Sequence, residues 1–151
     1  RRGYRYNQSG NDWDRPGISK CVHAFVGRFR DGSVGTVQTL PWDRRGWHCA
    51  SGAKGSGNNT HISFEICEDG LTDASYFKAV YQEAVELTAY LCKEYNLDPL
   101  ADGVVICHQE ATAEGSPVTT GMSFTGSLNS ARPWMISGRM WPDGWKERMR
   151  L

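Results

Sequence analysis

An alternating strand pattern followed by a long amphipathic helix pattern constrains the fold of this chain more than any other feature. Along residues 61–67, polar residues alternate with three apolar ones, Ile62, Phe64 and Ile66. The two sets of side chains therefore point to opposite faces of a strand. From residue 73 to about residue 96, apolar residues recur at helix spacing with charged residues between them. We predict that the apolar face of the strand is buried against a helix.

The predicted helix has recognisable ends and a recognisable apolar stripe. Thr72 or Asp73 can cap its start, and Asn96 with Pro99 marks its stop. The residues at helix spacing that form the stripe are Phe77, Val80, Ala84, Leu87 and Leu91.

Three further segments can be placed on this frame. Two strand-like runs flank Asp31-Gly32, which is a strong hairpin signal. Residues 41–59 form a long loop rich in Gly, Ser and Asn, and long loops in compact domains are often functional. The run "GVVIC" predicts a short buried strand that ends at His108, a usual position for a functional side chain on an α/β sheet.

Length and charge exclude some classes of protein. The 151 residues suit one domain with a sizeable core. The formal net charge of +0 provides no global field towards nucleic acid or anionic membrane. The basic and aromatic opening "RRGYRYNQ" is interpreted as a solvated terminus rather than a nucleic-acid site. No apolar run approaches the length of a membrane span, and no signal peptide is visible.

The cysteines favour a structural role. There are five of them, with no CxxC pair, which indicates neither a disulfide framework nor a zinc ribbon. Cys67 and Cys107 stand in strand-like runs and Cys92 in a helix-like one, so we interpret these three as small buried hydrophobes, and a reducing compartment during folding fits best. A cysteine hydrolase is an alternative, with Cys21 beside His23 or Cys107 beside His108. Neighbours in a strand point to opposite faces, so Cys107 and His108 are poorly placed as a dyad.

Glu65 and four histidines are the residues that suggest chemistry most directly. Glu65 stands in mid-strand, where glutamate is disfavoured, so its face is either plain solvent or the floor of a site. With His23, His48, His61 and His108 it suggests a hydrolytic zinc site. Such a site needs neutral imidazoles, usually a third protein ligand, and an open position for water. The spacing alone says little, because no HExxH cluster occurs.

Five segments carry a family resemblance: "CVHAFVG", "GTVQTLPWDRRGWHCASG", "NNTHISFEICED", "YFKAVYQEAVELTAYLCKEYNLDP" and "GVVICHQE". In order and spacing they resemble zinc-dependent N-acetylmuramoyl-L-alanine amidases of type 2. This group is related to phage lysozyme-type amidases (endolysins) and to peptidoglycan-recognition proteins, and the likeness extends to prophage and clostridial cell-wall enzymes. It runs from about residue 11 to residue 110. It implies an α/β fold with a mixed central sheet, helices on one face and a zinc cleft on the other.

The resemblance also implies roles for two residues of the chemical centre. Glu65 occupies the position of the glutamate that faces the cleft and acts as general base for the zinc-bound water. His108 matches the family's second zinc ligand. The alternatives left open are a solvated strand glutamate and a satisfied polar residue at a strand end.

Further residues match positions around the family's substrate groove. His48 matches a histidine that lines the groove, with Trp47 beside it, and a structural role for either is the alternative. Asn58 and Asn59 match a pair that either shapes the loop or hydrogen-bonds the glycopeptide.

Two more histidines have no assigned chemistry. His23 matches a strand histidine near the cleft that is not a ligand in the family, and core packing is the alternative for it. We expect His61 to lie at the surface.

The chain departs from the family at both ends. The family's first zinc ligand is a histidine in a "VHST"-like motif upstream of the loop that residues 11–17 resemble, and nothing here matches it. The third ligand, an aspartate, and a histidine two places before it are replaced by Met122 and Thr120. Shifted by one base, codons inferred for residues 131–139 spell a family motif. We interpret residues 1–110 as an amidase domain lacking its N-terminal strand, and residues 111–151 as an atypical, frameshifted tail without regular elements.

The function predicted from the resemblance is hydrolysis of the amide between N-acetylmuramic acid and the first L-alanine of the peptide stem. Zn2+ is the expected cofactor and peptidoglycan the expected partner, with no nucleic acid or membrane and a monomeric state. The protein would be made in the cytoplasm and act on the cell wall. The chain as printed is expected to be inactive, because only His108 of the ligand set is matched. The alternative is a non-catalytic peptidoglycan-binding module.

Overall fold

The computed structural model describes residues 16–49, 51–52, 55–67, 73–107 and 121–125. These residues form a five-stranded mixed sheet with a long helix, which confirms the predicted α/β class. In chain order the elements are β1 (Ala24–Arg28), β2 (Val34–Gln38), β3 (Ser51–Gly52), β4 (Gly55–Ser56), a 3-10 turn (Gly57–Asn59), β5 (His61–Ile66), α1 (Ala74–Glu94), β6 (Val105–Cys107) and β7 (Gly121–Thr125).

The sheet places β5 in its middle. The strand order is β2-β1-β5-β7-β6, with β3 and β4 forming a separate two-stranded pair. The β1–β2 pair is antiparallel, whereas β1–β5, β5–β7 and β6–β7 are parallel. A residue at the carboxyl end of β5 therefore lies at the edge where parallel strands commonly present functional side chains.

The first two strands form the predicted hairpin. Gly32 has a φ of 89°, a left-handed conformation that glycine adopts without strain. The Asp31 Oδ1 accepts hydrogen bonds from the Ser33 amide at 3.0 Å and from the Ser33 hydroxyl at 2.6 Å. Asp-Gly chemistry thus closes the turn as the sequence predicts.

The alternation along β5 is confirmed on its apolar side. Ile62 and Phe64 are buried, and Ile66 packs at the margin of the same core. This core also contains Ala24 and Val26 of β1, which pair in register with Phe64 and Ile66 of β5. Residues paired across neighbouring strands share a face of the sheet. The face opposite Glu65 is therefore the one that packs on α1.

The helix has the predicted ends but a slightly rotated inner face. Asp73 is the N-cap residue and Asn96 follows the last turn with a φ of 50°. The prediction for Phe77 is wrong, because its side chain is 37% exposed and stacks on Tyr81 at 6.1 Å between ring centroids. Tyr76 is buried instead. A wide apolar stripe lets either neighbour face inward, and the contact with the ends of β1 and β5 selects Tyr76.

A cluster at the start of α1 joins three elements. The Arg28 Nη2 donates to the Asp73 Oδ2 at 2.7 Å, and the guanidinium carbon lies 4.7 Å from the centroid of the Tyr76 ring. The Tyr76 hydroxyl donates to the Cys67 carbonyl. Hydrogen bonds from Ser75, the cap amide of Tyr76 and the Arg28 guanidinium hold the pKa of the Asp73 carboxyl well below its usual value.

The two carboxylate oxygens of Asp73 bind different partners, so Asp73→Asn and Asp73→Ala are predicted to lower the Tm by different amounts. Oδ1 accepts from the Ser75 and Tyr76 amides at 2.9 and 3.1 Å, whereas Oδ2 pairs with Arg28. Asp73→Asn keeps the cap oxygen and loses the ion pair, and Asp73→Ala loses both. We expect Asp73→Ala to lower the Tm by about 3–6 °C and Asp73→Asn by less, since exposed ion pairs contribute little.

The pH dependence separates the two contributions. A carboxyl with a depressed folded-state pKa stabilises the fold above its unfolded pKa of about 3.9, and the contribution is lost as the pH falls towards the lower folded-state value. The Tm gap between wild type and Asp73→Asn should therefore narrow progressively as the pH falls below about 4, measured by circular dichroism. The gap between Asp73→Asn and Asp73→Ala should remain. A wild-type-to-Asn gap that is constant down to pH 2 would contradict a stabilising contribution from the Asp73 charge through its bonds to Ser75, Tyr76 and Arg28.

The tail contains a regular element, contrary to the expectation for residues 111–151. Gly121–Thr125 pairs in parallel with β5 on one side and β6 on the other. The prediction of no regular elements is therefore wrong for these five residues. A short strand inside a sheet needs only backbone partners on both sides, so it leaves no periodic pattern in the sequence. The rest of the predicted tail lies outside the described residues.

All five cysteines are free thiols, as predicted. Cys49, Cys92 and Cys107 are buried, and Cys67 is half-buried. Burial raises the pKa of the Cys67 thiol to about 12, with a further contribution from the charge of Glu65. Among the helical residues that the structure describes, no helix combines the length and apolarity needed to span a membrane.

Candidate active site

His23 connects the middle of the sheet to the loop that follows β2. Its side chain is only 1% exposed. The ring Nε2–H donates to the Arg44 carbonyl at 2.7 Å. The ring Nδ1 accepts from the Ser63 amide at 3.0 Å and lies 3.1 Å from the Ser63 hydroxyl. Burial lowers the pKa of His23, so the ring is neutral with its proton on Nε2.

The polar face of β5 is therefore not plain solvent. Ser63 is fully buried beneath His23, and Glu65, two residues further along the same face, is half-buried. On β1 the register partner of Glu65 is the buried Phe25. Glu65 thus stands near the carboxyl end of a central strand, half-buried on the same face as the fully buried Ser63.

The loop over this face, residues 41–49, is called the site loop below. Its far end pairs with the chain before β1, because the Cys21 amide donates to the Trp47 carbonyl at 3.0 Å and the Trp47 amide donates back at 2.9 Å. Gly46 allows a close approach. A Cβ added there would lie 3.2 Å from His23 Cε1 and 3.3 Å from His48 Cδ2. The imidazoles of His23 and His48 thus flank the loop backbone at a position where a side chain would crowd both.

Asn58 holds the end of the site loop. Its Oδ1 accepts from the His48 amide at 2.7 Å and from the Cys49 amide at 3.1 Å, and its Nδ2 donates to the Cys49 carbonyl at 2.7 Å. The Asn58 side chain is 4% exposed. Its carboxamide therefore shapes the loop, which was one of the two alternatives for this residue.

An exposed group of side chains lies on the outer surface of the site loop. Trp47 is 53% exposed, and the Arg45 guanidinium carbon lies 4.8 Å from the centroid of its ring. The Arg45 Nε donates to the Asn59 Oδ1 at 2.7 Å. Trp47, Arg45 and Asn59 thus form one contiguous surface, with both Arg45 and Asn59 exposed.

The expectation that His61 lies at the surface is wrong. Its side chain is 4% exposed, its Nε2 donates to the Gly103 carbonyl at 2.9 Å, and its Nδ1 accepts from the Thr60 hydroxyl at 2.7 Å. Burial lowers its pKa. Nothing in the sequence around His61 indicates that its ring donates a hydrogen bond to a carbonyl in a distant turn.

Comparison with known families decides the class of this protein. The family model described as N-acetylmuramoyl-L-alanine amidase matches residues 2–119. The chain belongs to the N-acetylmuramoyl-L-alanine amidase family. The match continues past residue 110, the predicted end of the amidase domain.

Two amidases of Bacillus are similar to about half of the chain. The N-acetylmuramoyl-L-alanine amidase CwlH of Bacillus subtilis (strain 168) is 42% identical over 82 residues, which cover 54% of this chain and 30% of that protein. The N-acetylmuramoyl-L-alanine amidase CwlA of Bacillus sp is 35% identical over 81 residues, covering 54% and 31%. The match thus spans about a third of the length of either relative. No solved structure matches the chain significantly.

The fold brings together four of the six predicted site residues of this chain. Trp47 and His48 lie on the site loop, Asn58 holds that loop, and Asn59 contacts it through Arg45. Glu65 connects to the same loop through its strand, by way of Ser63 and His23. The sixth, His108, lies outside the described residues. Substrate contact by any of them stays a prediction.

Zinc has no ligand set within the described segments. No group of three His, Cys, Asp or Glu side chains able to hold a metal occurs there. Both ring nitrogens of His23 and of His61 are engaged in hydrogen bonds. The described residues alone therefore do not fit a zinc ion. The same engagement argues against His23 as the base of a cysteine hydrolase with Cys21.

Sequence reasoning did not single out Ser63 or Arg45. Ser63 shares the polar face with Glu65, so the alternation of β5 contained a signal for it. Arg45 was recognised only from its contacts with Trp47 and Asn59 in the structure, because the sequence of a glycine-rich loop does not predict them.

The neighbouring asparagines should differ sharply when replaced by alanine. Asn58→Ala leaves the His48 amide, the Cys49 amide and the Cys49 carbonyl without their partner in a buried place. We expect a loss of about 2–4 kcal/mol in the free energy of unfolding. Asn59→Ala, the matched control, removes one exposed contact and should cost about 0.5 kcal/mol or less. Urea unfolding measures both, and equal losses would contradict the clamp role of Asn58.

Proposed function

We propose that the protein is a peptidoglycan amidase that hydrolyses the bond between the lactyl group of N-acetylmuramic acid and the first L-alanine of the peptide stem. The observation that carries the proposal is the family match over residues 2–119, together with a half-buried Glu65 on the polar face of a central strand. Such a protein acts on the cell wall.

Glu65 is proposed as the general base. A carboxylate beside the scissile amide takes the proton of the attacking water and can return it to the leaving amine. Its strand is held rigidly between β1 and β7, so little reorganisation is needed to keep the carboxylate in place. The burial of neighbouring Ser63 and Phe25 supports a partly dehydrated environment for this group.

The surface formed by Trp47, Arg45 and Asn59 is proposed to contact the glycopeptide, together with His48. An exposed indole stacks well on apolar faces of sugars and peptides, and the guanidinium and amide beside it offer hydrogen bonds. Fixation of this loop by Asn58 and His23 supports the proposal, because a preorganised surface binds with a smaller entropic cost.

Zinc is the proposed cofactor, since the family is generally zinc-dependent. His108 is the one ligand that the sequence resemblance assigns to this chain, and the other ligands are not among the described residues. When bound, zinc polarises a carbonyl and makes water more acidic.

A non-catalytic peptidoglycan-binding module is the second candidate. It is favoured by the lack of a three-residue metal-binding group in the described ranges. A binder needs the surface of the site loop but neither a metal nor Glu65.

Digestion of purified cell walls by the full-length protein separates the two candidates. An amidase releases L-alanine amino groups, which can be labelled and counted, and the turbidity of the wall suspension falls. A binding module sediments with walls and releases none. Binding without release of amino groups at any zinc concentration would refute the proposed hydrolysis.

A further inference from the structure

His23 is a buried imidazole that the proposed chemistry does not use. One edge of its ring contacts β5 at Ser63, two residues before Glu65. The other edge contacts the site loop at the Arg44 carbonyl. A single ring thus spans the distance between the strand of the proposed base and the loop of the proposed substrate contacts.

We propose that His23 is a positioning residue, whose Nε2–H holds the site loop so that Trp47 and His48 meet the substrate. This inference rests on the proposed function of the site. It assigns a role through the loop, not through contact with substrate or metal.

The hydrogen-bond directions define what the ring does. A carbonyl oxygen only accepts, so the proton must reside on Nε2, which faces Arg44. Nδ1 is then bare and accepts the Ser63 amide hydrogen. Both nitrogens are engaged, which leaves neither for proton transfer or for a metal ion. The contribution of His23 to the reaction must therefore pass through the atoms it holds.

The backbone around His23 strengthens the connection to the loop. The His23 carbonyl accepts from the Thr39 amide at 2.8 Å and the Leu40 amide at 3.2 Å, where the site loop begins. The ring stacks on Trp42, with centroids 6.3 Å apart. It also lies against Gly46, next to the residues that it is proposed to position. His23 thus bonds the residues just before the loop and contacts the loop itself at Trp42, Arg44 and Gly46.

Two substitutions test the two ring nitrogens of His23 separately. In His23→Gln the side-chain amide reaches the place of Nε2 and can still donate to the Arg44 carbonyl. In His23→Asn the side-chain oxygen takes the place of Nδ1 and can accept from Ser63, but nothing reaches Arg44. Both variants lose apolar volume and should be less stable than wild type.

The proposal predicts different kinetics for these variants in the full-length protein. We expect His23→Asn to raise KM for cell walls by about threefold to tenfold, the equivalent of one hydrogen bond, with kcat nearly unchanged. His23→Gln should keep KM within about twofold of wild type. A residue that only fills the core would change both variants alike, through the fraction of folded protein.

Hydrogen exchange provides a readout that does not depend on catalysis. The amides of Trp47, His48 and Cys49 should exchange faster in His23→Asn than in His23→Gln, followed by mass spectrometry of the loop peptides. Equal KM values and equal exchange in the two variants would overturn the proposal.

Gly46→Ala tests the same contact from the loop side if the His23 variants do not fold. The added methyl would lie 3.2 Å from His23 Cε1 and 3.3 Å from both the Cys21 carbonyl oxygen and His48 Cδ2, so the loop and these neighbours must move apart by a few tenths of an ångström, and KM should rise while kcat is kept. An unchanged KM would count against the proposal. If wild-type protein does not cleave walls, the proposed function fails, and the exchange rates still decide whether His23 holds the loop.

Discussion

Glu65→Gln is expected to lower the rate of wall lysis by about a hundredfold or more while the protein stays folded. Glutamine is nearly isosteric with glutamate, so the strand and its contacts with β1 and β7 should persist. The amide cannot take the proton of the attacking water, so the hydrolytic step loses its base. Release of L-alanine amino groups from walls by the full-length protein is the measurement.

Two controls keep that result interpretable. Glu94→Gln changes an exposed glutamate at the end of α1 and should leave activity unchanged. Sedimentation with walls should be the same for Glu65→Gln and wild type, because substrate binding by the site loop is not altered. If Glu65→Gln lyses walls at a near-normal rate, Glu65 is structural and the base lies elsewhere.

His108→Ala is expected to abolish stoichiometric zinc in the full-length protein. Three protein ligands are usual at a catalytic zinc, and two hold the metal much more weakly, so most lytic activity should disappear with it. Elemental analysis after gel filtration measures the zinc-to-protein ratio. Wild type should carry close to one equivalent.

His61→Gln is the matched control for that experiment. Both His61 nitrogens are hydrogen-bonded within the fold, and glutamine can keep the donation to the Gly103 carbonyl. Its zinc content should equal that of wild type. An unchanged ratio in His108→Ala would remove His108 from the ligand set and favour the peptidoglycan-binding module.

The site itself was predicted unevenly. The polar face of β5 and the position of Glu65 on it followed from period-two alternation, which needs only local geometry. The expectation that residues 41–59 are functional came from loop composition, and it stays a prediction. The loop-shaping contacts of Asn58 could not be predicted from the sequence, because they involve two amides nine and ten residues away. The burial of His61 depended on a carbonyl 42 residues away.

The sequence by itself determined the elements whose signals are local. These are the hairpin at Asp31-Gly32, the start of the helix within a residue of Asp73, the helix itself and the apolar side of β5. Each is decided by turn chemistry, capping or periodicity within a few residues, so no distant contact was needed to predict it.

Only the tertiary structure decided which residue of a local pattern faces inward and what covers the polar face. Tyr76 replaced Phe77 in the core because the ends of β1 and β5 meet the helix there. Gly121–Thr125 became a central strand because β5 and β6 offer backbone partners on both sides. His23 became a neutral bridge because Ser63 and Arg44, 40 and 21 residues away, converge on its two nitrogens. Contacts of this kind join residues far apart in the chain, and no window of sequence contains both partners.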